Sequence, residues 1–518
     1  MSSSDQGPQH EEKLGLLAEH VSDTESDGDI FDEKTRSSWT RFRVSRLLTA
    51  PWIYARSTSW RPLLVRFGFF LVPSFLQGRH AREQIRPAKL SPTAYLDGMR
   101  GLAALFVFFC HYFYQAFVIA EGWGAGESNY HFLKLPFVRI WYQGPPAVCL
   151  FFVISGYALS YRPLKLARSR SSADFGNALS SLIFRRGVRL YLPTAISTFL
   201  IVCLLRIGAY EWTREFASDK TYMKNVVETH PQRMEFASDQ FLDWAKHMYR
   251  FVHVFDWDKY GGSTSYDVHL WTIPVEFRCS LYLFLVLIGT ARLQTKFRFL
   301  TVGGIMWYVY TQSRWELLLF LCGMVLAEMD LIRGAHKPPP ATSDLPVHET
   351  PAASRPRWKR VFWSSLSILG LYLMCQPDLK GNITPGWIWL HTQIPSWWQE
   401  ESYRYYQSLG AVIFALAVGH SPSWQAFFNT GFVQYFGKLS YAIYLMHGPA
   451  MHCIGYHWER MAYAITGVDG NWYNAGFVLG AVFCIPTVVW CSDIFWRAVD
   501  MPTVKFAKWV ESKCIIQA

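Results

Sequence analysis

Long apolar segments are the feature that most restricts how this chain can fold. Residues 102–120 form an apolar run of 19 residues, which carries no formal charge unless His111 is protonated. A helix of that length is about long enough to cross the hydrocarbon core of a bilayer. Similar runs recur, so we predict an all-α fold, a polytopic bundle of about ten transmembrane helices. The predicted segments are 101–120, 144–161, 190–207, 270–291, 299–312, 315–329, 361–376, 406–420, 439–457 and 474–496.

The composition agrees with a membrane protein. Of the 518 residues, 51% are hydrophobic and 17% aromatic, whereas only 17% are charged. The net charge of +11 would indicate a nucleic-acid ligand in a soluble protein. Here the basic residues lie between apolar runs, as the positive-inside rule requires, so we expect membrane lipids and no nucleic acid as partners. The ten Cys include no C-x-x-C pair, and we predict no metal site.

The charge pattern suggests three regions. Residues 1–35 hold ten acidic and two basic residues, whereas 36–89 hold eleven basic residues and one acidic residue. We therefore predict a disordered N-terminal region, first acidic and then basic, over residues 1–90. A membrane domain over 91–502 and a C-terminal tail over 503–518 would follow.

Loop charges orient the predicted bundle. Residues 162–189 hold seven Lys or Arg and one Asp, and residues 330–360 hold six Lys or Arg. Because cytosolic loops carry such an excess, we predict both termini in the cytosol and residues 208–269 outside or in a lumen. Either an endomembrane or the plasma membrane is compatible with this pattern.

Two polar residues share one face of the first apolar segment. Arg100 and His111 are 11 residues apart, close to three helical turns, with a rise of roughly 16 Å. Arg100 would lie near one membrane surface and His111 near the middle. An ionisable residue at that depth marks a functional site by default, although an interhelical hydrogen bond would also explain it.

The sequence LDGMRGLAALFVFFCHY, residues 96–112, resembles the first membrane helix of acyltransferase family 3. Members of that family are multi-pass O-acyltransferases that use acyl-CoA, and Arg100 and His111 match the family's arginine and histidine. FGKLSYAIYLMHGPAM, residues 436–451, resembles a late family helix and supplies His447 near mid-membrane.

Two further motifs resemble those of the family. LWTIPVEFRCSLYLF, residues 270–284, supplies Glu276, although Pro274 stands at an open position of the motif. FRRGVRLYLP resembles a basic family stretch and contains Arg185, Arg186 and Arg189. Arginine binds phosphate well through its planar, permanently charged fork, but these three residues could equally serve only as topogenic charges. His452 has no counterpart in the motifs and is interpreted as structural.

The resemblance implies transfer of an acyl group, with acetyl expected, from acyl-CoA to a hydroxyl of a small molecule, lipid or glycan. His111 would act as general base or carry the acyl group briefly, and Arg100 would hold the phosphate or thioester end of CoA. Glu276 and His447 would orient the acceptor or His111. Two alternatives remain at this point: a proton-coupled carrier that uses the histidines as relays, and a non-catalytic membrane scaffold.

Overall fold

The computed structural model describes residues 60–78, 90–127, 129–252, 262–336, 356–398 and 401–515. Over these residues the chain is helical, with isolated β-bridges and no strand. Two units are separated after Ala94. The predicted acidic tail and the Pro-rich part of the 330–360 segment lie outside the described residues.

Seventeen helices are labelled here in chain order. In the first unit α1 spans Trp60–Leu71, and α2, Ala94–Ala116, carries the chain into the second unit. The remaining helices are α3 (Gly144–Arg168), α4 (Ser172–Arg206), α5 (Glu211–Ser218), α6 (Ala237–Phe251), α7 (Thr272–Thr290), α8 (Thr295–Thr311), α9 (Trp315–Arg333), α10 (Arg357–Met374), α11 (Ile388–Thr392), α12 (Tyr403–His420), α13 (Pro422–Phe428), α14 (Gly431–Ala450), α15 (Tyr456–Thr466), α16 (Asn471–Phe495) and α17 (Met501–Cys514).

The all-α prediction is confirmed, and each of the ten predicted segments falls mainly on one helix. Within the described residues, four helical stretches are long and apolar enough to cross a membrane, not ten. These stretches are Gly144–Arg168, Ser172–Arg206, Val268–Thr290 and Asn471–Cys514. The first predicted segment is not among the four, because α2 includes Arg100, His111 and Gln115.

Helices α2 and α14 run side by side in the same direction, and glycine permits their close approach. A Cβ placed on Gly101 would come within 2.2 Å of the backbone nitrogen of Gly437, nearer than real atoms approach. Further along the pair, the rings of His111 and His447 stack with centroids 5.2 Å apart. The two motif histidines therefore meet because the backbones of α2 and α14 pack directly against each other at Gly101 and Gly437, ten residues earlier on each helix.

The segment between α4 and α7 folds over the end of α2. Asn225 donates its backbone N–H to the Gln115 carbonyl (2.9 Å), and its side chain donates to the Tyr114 carbonyl (2.6 Å). Carbonyls at a helix C-terminus have no partner within the helix, so this loop supplies one. The contact holds Glu228, three residues further on, beside His111.

Candidate active site

Three histidines from three parts of the chain meet at the end of the α2–α14 pair. Their ring centroids lie 4.2 Å apart for His111 and His269, and 4.7 Å apart for His269 and His447. His269 comes from the short 3₁₀ turn Val268–Trp271 that precedes α7. We call these rings, together with Glu228, the histidine cluster.

His269 is fixed by a carboxylate on each side. Its Nδ1 lies 2.7 Å from Asp267 Oδ1, and its Nε2 lies 2.9 Å from Glu228 Oε1. Because carboxylates only accept hydrogen bonds, both ring nitrogens act as donors, which is the geometry of an imidazolium. Gly448 on α14 makes room for this pair, since a Cβ there would lie 2.9 Å from His269 Nδ1.

Glu228 is the centre of the cluster. Its Oε2 accepts from His452 Nε2 (2.7 Å) and from Gln115 Nε2 (3.0 Å), while its Oε1 faces His269. Burial opposes ionisation of this carboxyl, but the charge and hydrogen bonds of His269 and His452 outweigh burial and hold the pKa of Glu228 well below its ordinary value. The surroundings of Glu228 therefore favour its carboxylate form although Glu228 is buried.

An irregular turn brings His452 to Glu228. Residues Met451–Gly455 form a π-helical turn directly after α14, and such turns often occur at functional sites. Pro449, inside α14, has no N–H to give to the Leu445 carbonyl. Ser197 Oγ donates to that carbonyl instead (2.9 Å), so the Leu445 carbonyl keeps a hydrogen-bond donor. His452, interpreted from sequence as structural, belongs to the site.

His111 is the accessible member of the cluster. Its side chain is 22% exposed, whereas the side chain of Glu228 is 5% exposed. Its buried Nδ1 lies 3.9 Å from Glu228 Oε1 and has no hydrogen-bond partner among the described residues. Catalytic hydrogen bonds are often this long before substrate binds. One edge of the imidazole thus faces a carboxylate while the ring stays reachable, the arrangement of a general base in nucleophilic transfer.

His447 offers a second free nitrogen, although the residue is fully buried. Its Nδ1 donates to the Ile443 carbonyl (3.1 Å), a contact that fixes the tautomer with the lone pair on Nε2. That Nε2 has no partner among the residues the structure describes. The Nε2 lone pair of His447 is therefore unused by the described residues of the histidine cluster.

The three histidine rings lie close enough together to hold a metal ion. One ring nitrogen from each of His111, His269 and His447 lies within 4.8 Å of the others. The contacts of His269 do not call for one, since each of its nitrogens already faces a carboxylate. The sequence prediction of a metal-free site stays a prediction.

Arginines gather near the other end of the α2–α14 pair. Arg100 donates from Nε to Ser440 Oγ (2.9 Å) and from Nη2 to the Gly437 carbonyl (3.3 Å). Arg189 on α4 is close enough to interact electrostatically with Arg100, Arg186 and Asp500. We call Arg100, Arg186 and Arg189 the arginine cluster.

Some of the arginines predicted to bind phosphate are already paired with acidic residues. Arg185 Nε lies 3.0 Å from Glu511 on α17. Arg186 Nη2 donates to Glu276 Oε1 (2.7 Å), which also accepts from Ser155 Oγ (2.9 Å). Glu276, expected to orient the acceptor or His111, thus contacts the arginines, one to two helical turns along α7 from the histidines. Arg189 forms no hydrogen bond or ion pair with any residue the structure describes.

Sequence reasoning found His111 and His447 but missed Asp267, Glu228 and the roles of His269 and His452. The spacing Asp267-x-His269 directly before Trp271 was a usable signal, since a carboxylate two residues from a histidine can orient it. Nothing near Glu228 distinguishes it from other acids in a mixed-charge loop. Its partners His269 and His452 are 41 and 224 residues away in sequence.

The chain is similar to several known acyltransferases over most of its length. The chain is 31% identical over 464 residues to the O-acetyltransferase PaAT-1 of Phomopsis amygdali, covering 86% of this chain and 88% of that protein. It is 24% identical over 462 residues to the acyltransferase R4 of a Phoma species, covering 81% and 96%. It is 26% identical over 459 residues to the acyltransferase clz18 of Cochliobolus lunatus, covering 80% and 94%.

No solved structure matches the chain. The model of the acyltransferase domain of family 3 matches residues 93–497, which include all three rings of the histidine cluster and the three arginines. With most of its length matched, the chain belongs to acyltransferase family 3 and is an acyltransferase.

Proposed function

We propose that this enzyme transfers an acetyl group from acetyl-CoA to a hydroxyl of its acceptor, with His111 as the general base. The observation that carries the proposal is the histidine cluster itself. It combines an accessible imidazole, a buried carboxylate 3.9 Å from that imidazole, and an imidazolium that holds the carboxylate in place. The name of the Phomopsis relative, an O-acetyltransferase, supports acetyl as the group transferred.

The chemistry requires one proton to move twice. His111 takes the proton of the acceptor hydroxyl while the hydroxyl oxygen attacks the thioester carbonyl carbon. The tetrahedral intermediate then expels the CoA sulfur, which takes the proton back from His111. Glu228 stabilises the positive charge that His111 carries between these steps, as a carboxylate does in hydrolase triads.

Transient acylation of His111 is the alternative route for the same reaction. In that case the acetyl group would rest on the imidazole before the acceptor enters. Labelled acetyl-CoA, mixed with the enzyme without acceptor and quenched, would leave label on the protein only by this route.

The spacing of the two clusters supports CoA as the donor. Arg100 and His111 are about 16 Å apart along α2. The pantetheine arm of CoA has about as many backbone bonds between phosphate and sulfur as four extended peptide residues, or about 14 Å. With its phosphates at the arginine cluster, the arm would bring the thioester to His111. Arg189, which forms no ion pair with the residues that the structure describes, is the first candidate for a phosphate ligand.

The membrane arrangement is part of the proposal. Four helical stretches are long and apolar enough to span, and α2, α8, α9, α10, α12 and α14 would complete about ten spans around them. Both termini and the arginine cluster would face the cytosol, where acyl-CoA is made, and the 208–269 segment would lie outside. Protease protection of terminal tags in sealed vesicles tests this. A terminus on the same side as 208–269 would overturn it.

The decisive experiment measures transfer by purified protein in nanodiscs. Acetyl-CoA and a set of hydroxylated acceptors are supplied, and acetyl ester and free CoA are quantified together. We expect equal amounts of both products, formed at least about a hundredfold more slowly in His111→Ala. Ester formation at a near-normal rate in His111→Ala, or CoA release without ester from any acceptor, would contradict the proposed reaction.

A further inference from the structure

A group of buried polar side chains lies next to the histidine cluster and is not used by the mechanism above. It consists of residues from three places: the turn before α3, the loop after α10, and the start of α12. We call it the outer polar cluster. Its members are Arg139, Gln143, Asp378, Arg404 and Gln407.

One carboxylate connects two amides in this group. Gln407 Nε2 donates to Asp378 Oδ1 (2.7 Å), and Gln143 Nε2 lies 3.4 Å from the same oxygen. Both amides also donate to the Gln376 carbonyl. These contacts use the amide nitrogens and leave the two side-chain oxygens without a hydrogen bond among the described residues.

Several polar atoms of the outer polar cluster have no partner. Gln143 Oε1 and Gln407 Oε1 accept no hydrogen bond, and Arg139 Nε and Arg404 Nη1 donate none, within the described part of the chain. All four residues are at least nine-tenths buried, with Gln143 2% exposed and Arg404 5%. Buried polar groups in native proteins are almost always satisfied, so such a concentration points to something absent from the structure.

The two arginines influence Asp378 without pairing with it. Each acts on the carboxylate electrostatically, yet neither forms an ion pair with it among the described residues. Arg404 is instead packed against Trp315 and Trp271, 4.2 and 5.5 Å from the ring centroids. An oxygen atom that reached an unpartnered guanidinium nitrogen and an unpartnered amide oxygen would meet a donor and an acceptor.

The outer polar cluster adjoins the catalytic base. A Cβ placed on Gly144, directly after Gln143, would lie 3.0 Å from the Sγ of Cys110, the residue before His111. Cys110 lies within electrostatic range of both Asp378 and Glu228. Trp271, which contacts Arg404, is two residues from His269. A single small molecule could therefore touch both clusters.

We infer that the outer polar cluster binds a second hydroxyl of the acceptor, so that the substrate is a molecule with at least two hydroxyl groups. A hydroxyl both donates and accepts, which matches unpartnered amide oxygens beside unpartnered guanidinium nitrogens. Ordered water would fill this place in the free enzyme, and the substrate hydroxyl displaces it. The inference rests on the proposed function, because the first hydroxyl must be the one acetylated at His111.

Cyclohexanol and the trans-1,2-, 1,3- and 1,4-cyclohexanediols form a matched set of probes that differ in the second hydroxyl. The ratio of kcat/KM for each diol to that for cyclohexanol is measured with acetyl-CoA as donor. Two equivalent hydroxyls give a factor of two by number alone. We expect the best diol to exceed cyclohexanol about tenfold or more, since a site that binds a hydroxyl discriminates against its absence.

The variants Gln143→Met and Gln407→Met should bring that ratio down toward two, because Met keeps the length of the side chain but cannot accept from a hydroxyl. Gln240→Met is the control, since Gln240 is buried in α6, where it contacts Tyr266, and belongs to neither cluster. The kcat/KM ratio of this variant should equal that of the wild type. A ratio does not depend on how much protein folds.

Two results would overturn the inference. A kcat/KM ratio of about two or less for every diol in the wild type removes the second-hydroxyl site and leaves the proposed transferase intact. A diol preference that survives in both glutamine variants places the site elsewhere. Absence of acetyl transfer to all four alcohols, together with absence of transfer to any other hydroxylated acceptor, removes the proposed function and this inference with it.

Discussion

The histidine cluster and the arginine cluster stand at opposite ends of the same pair of helices, α2 and α14, and they differ in what surrounds them. In the histidine cluster, His111 keeps a free Nδ1 and an exposed edge while partners fix its neighbours. In the arginine cluster, most guanidinium groups already contact acids or carbonyls, and Arg189 alone of the three has no paired group within the described residues.

This difference shows what a motif can and cannot identify. Motif spacing predicted that Arg100 and His111 lie near opposite ends of the α2–α14 pair. It could not tell an arginine that is neutralised by a nearby acid from one that remains available. Availability depends on residues such as Glu511, which lies 326 positions from Arg185 and contacts it only after folding.

The strongest way to test the comparison is His111→Ala. A general base contributes about 10²–10⁴-fold to rate, so we expect kcat to fall at least about a hundredfold. Acetyl-CoA binding and protein abundance should stay near wild-type levels, since the buried Nδ1 of His111 has no hydrogen bond to any described residue. Turnover, binding and yield are measured on one purified sample.

His131→Ala, in an exposed position between α2 and α3, is the matched control and should retain full turnover. Near-normal kcat in His111→Ala would show that the histidine cluster is structural. Low abundance with normal turnover per folded molecule would lead to the same conclusion.

The second test removes the charge at the centre of the histidine cluster. Glu228→Gln should lower kcat roughly tenfold to a hundredfold, since a lost charge-assisted hydrogen bond costs about 1.5–3 kcal/mol. Glu228 acts through His111 and His269 and is a positioning residue. Glu228→Asp, which keeps the charge, should have a higher kcat than Glu228→Gln. Equal kcat values for the two variants would contradict a role for the charge.

The pH dependence of stability gives an independent check on Glu228. Its pKa is lowered in the folded protein, so the ionised form stabilises the fold at neutral pH. That contribution is lost as the pH falls below about 4.3, the ordinary glutamate pKa, toward the lowered value. The difference in Tm between wild type and Glu228→Gln should therefore shrink with acidification. A difference that is constant between pH 7 and pH 4 and below would exclude an ionised Glu228.

The third test compares two arginines of one helix. Arg189→Gln should raise the KM for acetyl-CoA about tenfold, while the KM for the acceptor changes little. Arg185 is paired with Glu511, so Arg185→Gln should have a smaller effect on the KM for acetyl-CoA. Steady-state kinetics with each substrate varied separately decides the order. Equal effects, or failure of both variants to insert, would favour topogenic charges.

The smallest expected effect is that of metal removal. Dialysis of the wild type against EDTA should leave turnover unchanged, because the carboxylates on both sides of His269 supply its contacts without an ion. Turnover and bound metal are measured before and after. If EDTA lowered turnover and added Zn²⁺ restored it, His111, His269 and His447 would be identified as the ligands of a metal centre.

Apolar runs located the helices because a segment buried in lipid or protein must remain apolar over most of its length. The ends were less predictable. Helix α4 begins at Ser172, 18 residues before the predicted segment 190–207. In its charged first half, Arg185 and Arg186 pair with Glu511 and Glu276 on other helices. Hydropathy does not register such pairing.

The candidate site was predictable to the extent that it lies in the motif helices. His111 and His447 share a depth because each stands 10 or 11 residues beyond the Gly437–Arg100 contact on its own helix. Glu228 was not predictable, because a polar loop gives no periodic signal and the contact of Asn225 with the end of α2 arises only in three dimensions.

The close packing of α2 on α14 has a consequence for mutational surveys. Gly101 and Gly437 have no room for a side chain, and Gly448 makes space for the Asp267–His269 pair. Replacing any of them separates the rings without altering a reacting group. A saturation library scored by activity alone will therefore rank these three glycines beside His111, and only abundance scores will distinguish spacing from chemistry.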